Sequence, residues 1–149
     1  MTDERLLTAY RNTSYFADTP AGRLRIRIGE AHPVLDALLI ARGHRHWAYV
    51  TAHNPGSVPL TAEENGARHT DLETDVRARG YEAFTGEGVG DDGEWPAEAS
   101  LLILGIGRNE ATALGHAHAQ RAVVWGDVGE PALLLICSQH PAEPSQDAL

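Results

Sequence analysis

Glu98 and Ser100 stand one residue apart, immediately ahead of the most apolar run in the chain, residues 101–104. If that run is a strand, alternation sends both side chains to one face, where a carboxylate beside a hydroxyl suits general-base chemistry. Glu98 is therefore the candidate catalytic residue; its competing role is to accept hydrogen bonds from loop amides. No Gly-x-Ser-x-Gly elbow and no nucleophile–histidine–acid order surrounds Ser100. A second group of polar residues is suited to binding. Thr51, Asn54 and Ser57 lie in the stretch Thr-Ala-His-Asn-Pro-Gly-Ser, and Glu64, Asn65 and Arg68 follow it. Gln120, just before the apolar run 122–125, offers a further amide at a strand start.

The helix expected over residues 61–80 relates these groups to each other. Thr61 reads as its N-cap, and Glu64, three residues later, completes a capping box. At about 100° per residue, Ala62, Leu72 and Val76 share a face, Asn65 falls near the direction of Leu72, and Arg68 and His69 flank it. The inward stripe thus turns polar in the first two turns. An inward polar group left without a partner costs about 1–3 kcal/mol, so these side chains need partners. Two readings remain open: a hydrogen-bond network that pins the preceding loop, or contacts to a ligand whose anionic or amide group meets the helix N-terminus.

Other constellations carry less. The stretch 86–96 holds Gly86, Gly88 and Gly90 with Glu87, Asp91, Asp92 and Glu94. It lacks the strand–loop–helix context of a phosphate cradle and the twelve-residue pattern of a calcium loop, so it reads as a solvated loop anchored by Trp95. The eight histidines show no His-Glu-x-x-His or cysteine-paired spacing, and no metal or cofactor is expected. Cys137 follows five apolar residues and reads as a small buried hydrophobe.

Taken in order, Tyr10-Arg11-x-Thr13-x-Tyr15, Thr51-Ala-His-Asn54-Pro55-x-Ser57, Leu60-x-x-x-Glu64-Asn65, Arg79-Gly80-Tyr81, Gly86-x-Gly88, Trp95-x-x-Glu98-x-Ser100 and Gln120-x-Ala-Val-Val-Trp125-Gly126 are similar to a family of short bacterial proteins, domain-of-unknown-function family number 3293. The resemblance spans about residues 10–136. It implies that Thr51, Asn54, Pro55, Ser57, Glu64, Asn65, Glu98, Ser100 and Gln120 belong to a shared pattern, with His53 departing from a slot that usually carries a bulky residue. It implies no activity, substrate or cofactor.

The elements that must position these residues follow from periodicity. Strands are expected at residues 23–28, 46–52, 81–85, 100–106, 122–125 and 132–137, the last two as a hairpin. The second, apolar on both faces, belongs in the middle of a sheet. Helices are expected at 33–42, 61–80 and 109–119. This is an α+β or mixed α/β domain, a single sheet of about five to six strands with about three helices. It covers residues 1–138, with a disordered tail at 139–149. All 12 basic residues are arginine, as a GC-rich genome would encode, and Arg23, Arg25 and Arg27 alternate with apolar residues as a strand's solvent face. A net charge of −9 disfavours general nucleic-acid binding. No run approaches the ~20 apolar residues of a membrane span, and the N-terminus lacks a secretory signal, so a cytoplasmic protein is expected. The expected function is small-molecule binding, with an enzymatic version built on Glu98; the alternative is an acidic accessory protein that binds a basic protein partner.

Overall fold

The computed structural model describes residues 3–93 and 96–137, so the expected tail, Glu94 and the Trp95 anchor lie outside the described residues. Four helices and seven strands are formed among the described residues, in the order α1 (Asp3–Arg11), β1 (Thr13–Thr19), β2 (Gly22–Ile26), α2 (Pro33–Ala41), β3 (His46–Thr51), α3 (Ala62–Ala78), β4 (Glu82–Gly90), β5 (Glu98–Leu104), α4 (Arg108–Ala117), β6 (Ala122–Asp127) and β7 (Leu133–Ile136). They make one antiparallel sheet in the order β2-β1-β4-β5-β3-β6-β7. The architecture is α+β, with one more helix and at least one more strand than periodicity indicated.

The sheet curls until its two ends meet. Beyond β2, Ile28 bridges Ala132 just ahead of β7; Gly29 N–H donates to the Ala132 carbonyl at 2.9 Å, and Ala132 N–H donates to that of Glu30 at 3.0 Å. One face packs Leu35 and Leu39 of α2 against Tyr15, Ala17, Ile26, Trp47, Tyr49 and Leu102. The other packs Leu72 and Val76 of α3, with Ala111 and Leu114 of α4, against Ala48, Val50, Leu101, Ile103 and Trp125. Strand β3 feeds both cores from alternate residues, which is why it reads as continuously apolar and lies between β5 and β6.

Local signals set several boundaries. Thr61 Oγ1 accepts from Glu64 N–H, and the Glu64 carboxylate accepts from Thr61 N–H, so the capping box starts α3 as its residue types require. Asn65, Leu72 and Val76 are the buried residues of α3, whereas Ala62 is exposed. The glycine-rich stretch corrects the sequence reading: residues 86–90 complete β4 between β1 and β5 rather than forming a loop. Glycine is a poor strand former, but cross-strand pairing on both sides outweighs that preference.

Candidate functional site

Strand β3 ends at Thr51, whose hydroxyl donates to the Ala99 carbonyl at 2.8 Å and accepts from His53 N–H at 3.0 Å. The chain then turns through Asn54, at φ 49° and ψ 65°, a left-handed conformation that asparagine tolerates better than most residues. Asn54 N–H donates to Asn65 Oδ1 at 2.8 Å. Its Oδ1 accepts from Leu60 N–H and from Asn65 Nδ2, both at 2.9 Å, and its Nδ2 donates to Glu98 Oε2 at 2.8 Å. The inward polar position of α3 and the loop ahead of it are therefore mutually satisfied.

Arg68 extends the same cluster. Its Nε donates to the Ala52 carbonyl and one terminal nitrogen to that of His118, each at 2.8 Å. Gln120 Nε2 donates to the His53 carbonyl at 3.0 Å, and Gly56 N–H to the Ala119 carbonyl at 2.8 Å. Loop 53–60 is thus tied to α3, to the start of β5 and to the turn after α4. Ser57 and Ala119, like Asn54, have positive φ, so the two loops in contact carry the three strained non-glycine residues of the described chain.

Of the residues singled out from sequence, the fold brings together Thr51, Asn54, Asn65, Arg68, Glu98 and Gln120. Ser57 is exposed at the loop surface, and Glu64 is spent on the helix cap. Ser100 is buried, and its hydroxyl donates to the Glu98 carbonyl oxygen at 2.9 Å. Alternation places Leu102 in the core beneath α2 and Leu101 in the core beneath α3, so Ser100 and Ala99 belong to opposite faces of β5.

Beside this cluster lies an open cleft of about 430 Å³, lined by Asp18, Arg23, His53, Thr85, Gly86, Glu87, Ala97 and Ala99. Arg23 bridges Asp18 and Glu87 at 3.0 Å each and covers the Phe16 ring. Periodicity gives no sign of this cleft, because β1, and β4 beyond Thr85, carry little hydrophobic strand signal. Arg23 was legible as an outward strand residue, but its neighbours were not. Behind His53 stands His69: the rings are 6.2 Å apart and perpendicular, and His69 Nε2 lies 3.5 Å from Glu73 Oε2. His69 Nδ1 is buried without a hydrogen-bond partner. Burial lowers the affinity of the His53 ring for a proton, a shift that nearby Glu98 opposes and His69 reinforces.

The acidic residues are partly neutralised in place. Besides Glu87, Asp91 pairs with Arg27 at 2.8 Å. Among the described residues, no group of three or more His, Cys, Asp and Glu side chains is arranged to hold a metal ion, and no helix is long and apolar enough to cross a membrane. Cys137 is buried in the core under α3 and α4, and that burial pushes its thiol up to about 11, which leaves little nucleophilic thiolate at neutral pH.

A second link joins α3 to the end of α4. Asp75 accepts from Arg79 Nε at 2.8 Å and lies 2.8 Å from His118 Nε2. The Arg79 bond holds its carboxyl below the ordinary 3.8; burial opposes it, and the His118 bond adds to the lowering. A carboxyl with a depressed folded pKa stabilises the protein above its unfolded pKa and loses that contribution as pH falls through the folded value. Asp75→Asn is therefore expected to cost about 1 kcal/mol at neutral pH. The gap from wild type should narrow as pH falls below the ordinary carboxylate value of 3.8 and close once the folded-state carboxyl is protonated. Urea midpoints of both proteins across that range check it, and a gap that persists in acid would assign the loss to packing.

These features define a class: a small antiparallel α+β domain in which a polar loop, pinned by paired asparagines, stands beside an open cleft on the sheet. Residues 50–123, from the end of β3 to the start of β6, match the family model described as Protein of unknown function (DUF3293), the family that the ordered motifs resemble. No curated protein and no solved structure matches the chain.

Proposed function

We propose that this domain binds a small polar molecule in the cleft between His53 and Arg23, and that the ligand presents an amide. The observation that carries this reading is the composition of the cleft wall. His53 and Thr85 supply neutral donors and acceptors over Gly86, Ala97 and Ala99, whereas Arg23 is already shared between two carboxylates. A rim of one guanidinium and two carboxylates is net negative, so it repels a free anion and leaves a neutral amide better matched. Burial also keeps the His53 ring in its uncharged form, suited to an amide. In this reading the Asn54–Asn65 pair and Glu98 hold the loop that presents His53; Glu98 shares the Ser100 face of β5, opposite Ala99, so an enzymatic version would draw its base from His53. The basic-partner alternative has less support, because Glu87 and Asp91, two of the four acids it relies on, are engaged by arginines.

Native mass spectrometry of gently purified protein tests the reading, with Ala99→Phe filling the cleft floor as the comparison. The expected result is a discrete added mass in wild type that is lost on denaturation and missing from folded Ala99→Phe. An adduct retained in Ala99→Phe would place the ligand elsewhere and overturn the assignment.

A further inference from the structure

His69 is the described residue whose buried ring nitrogen has no partner, and it stands directly behind the histidine that lines the cleft. Its other nitrogen faces a carboxylate, Glu73 Oε2 at 3.5 Å. A nitrogen facing a carboxylate is the one that carries the proton, so Nε2 holds the hydrogen and Nδ1 is a bare acceptor. A bare acceptor buried without a donor costs about as much as a lost hydrogen bond, and a native structure seldom leaves one unused. The imidazole of His53, perpendicular to the His69 ring, is a neighbouring group able to donate. A direct N–H···N bond needs about 3 Å between nitrogens. Rings whose centroids are 6.2 Å apart reach that with a modest approach.

We infer that Glu73, His69 and His53 form a directional chain that fixes the His53 tautomer and turns a bare ring nitrogen into the cleft, so that the cleft selects a ligand by a hydrogen-bond donor, such as an amide N–H. The inference rests on the cleft-binding reading and deepens it. His53 is the specificity-determining residue, touching the ligand; His69 and Glu73 are positioning residues behind it. The polarity of the chain has one direction. Glu73 accepts from His69 Nε2–H, His69 Nδ1 accepts from a His53 N–H, and the remaining His53 nitrogen can then only accept. A carboxylate ligand, which brings no donor, meets that lone pair and the negative rim of Asp18 and Glu87, and is refused.

Two-bond ¹H–¹⁵N spectra of the histidine rings at about pH 8, above the ordinary histidine range, report the tautomers directly. Titration with N-methylacetamide and with acetate as probes then reports the cleft. His69 is expected to carry its proton on Nε2, and N-methylacetamide but not acetate should move the His53 ring and the Thr85 and Ala99 amides. His69→Phe, checked for an intact fold by its backbone spectrum, should weaken the N-methylacetamide response about fivefold. His69→Gln, which restores an acceptor, should recover part of it. His69 protonated on Nδ1, or an unchanged affinity in His69→Phe, overturns the chain while leaving the cleft reading in place. No response at Thr85 or Ala99 to either probe overturns both.

Discussion

Replacing Gly86 with alanine is expected to destabilise the protein by about 3 kcal/mol, at the upper end of what overpacking costs. Gly88→Ala, two residues along the same strand, should cost less than about 1 kcal/mol. A Cβ built on Gly86 lies 1.8 Å from the Phe16 carbonyl oxygen and 3.0 Å from Ala17 Cα, both backbone atoms of the neighbouring strand. One built on Gly88 first meets the Tyr15 ring, at 3.5 Å, an ordinary contact. Backbone cannot rotate away as a side-chain end can, so β1 and β4 would have to separate where Ala17 pairs with Gly86. Ala17 is fully buried there, and the Phe16 carbonyl is held by the Tyr49 hydroxyl at 2.6 Å. Separation would break that bond and leave a buried phenol without an acceptor, adding to the steric cost. It would also shift Asp18, and with it the Arg23 side of the cleft. Urea unfolding of both variants measures the difference. Equal midpoints would mean that the two strands have room to give.

Asn65→Ala should lower stability by about 2–3 kcal/mol, the cost of stranding buried partners rather than of one lost bond. Asn65 is 7% exposed and serves the loop twice, accepting from Asn54 N–H and donating to Asn54 Oδ1. Removing it leaves a backbone N–H without an acceptor at the end of a central strand, where water enters poorly. Asn54→Ala removes the same pair from the other side, and alanine also tolerates the left-handed backbone less well. The two losses should therefore overlap. A double-mutant cycle is expected to return a coupling of about 1–2 kcal/mol between these positions. Strict additivity would show that each residue acts through different partners. Stability is the readout that separates the roles: a residue that pins the loop changes the unfolding midpoint with no ligand present, whereas one that merely touches ligand does not.

How much of this was legible depended on how local the governing interaction is. The capping box of α3 involves residues three apart, and Thr61 and Glu64 announce it. The alternation of Arg23, Arg25 and Arg27 with Leu24 and Ile26 likewise marks β2 without reference to its neighbours. Asn65 was recognisable as an inward polar group in need of partners because helical periodicity alone assigns its direction. By contrast, α1 is short and weakly apolar, and β1 buries Ser14 and Ala17 beside Tyr15, a pattern with little hydrophobic signal of its own. The three glycines of β4 carry the chemistry of a loop, and only pairing on both sides makes them a strand.

By itself, then, the sequence determined where α2, α3 and α4 begin, the central placement of β3, the β6–β7 hairpin and the presence of inward amides ahead of a strand. Each of these rests on backbone preference or hydrophobic period within a dozen or so residues. The tertiary structure decided that Asn54 and Asn65 answer one another, that β4 passes close enough to β1 to require a glycine, and that Arg23, Thr85, Ala99 and His53 share a cleft. The asparagine pair depends on the conformation of the loop between residues eleven apart; the other two depend on strand order and register, which are settled by burying two core faces at once.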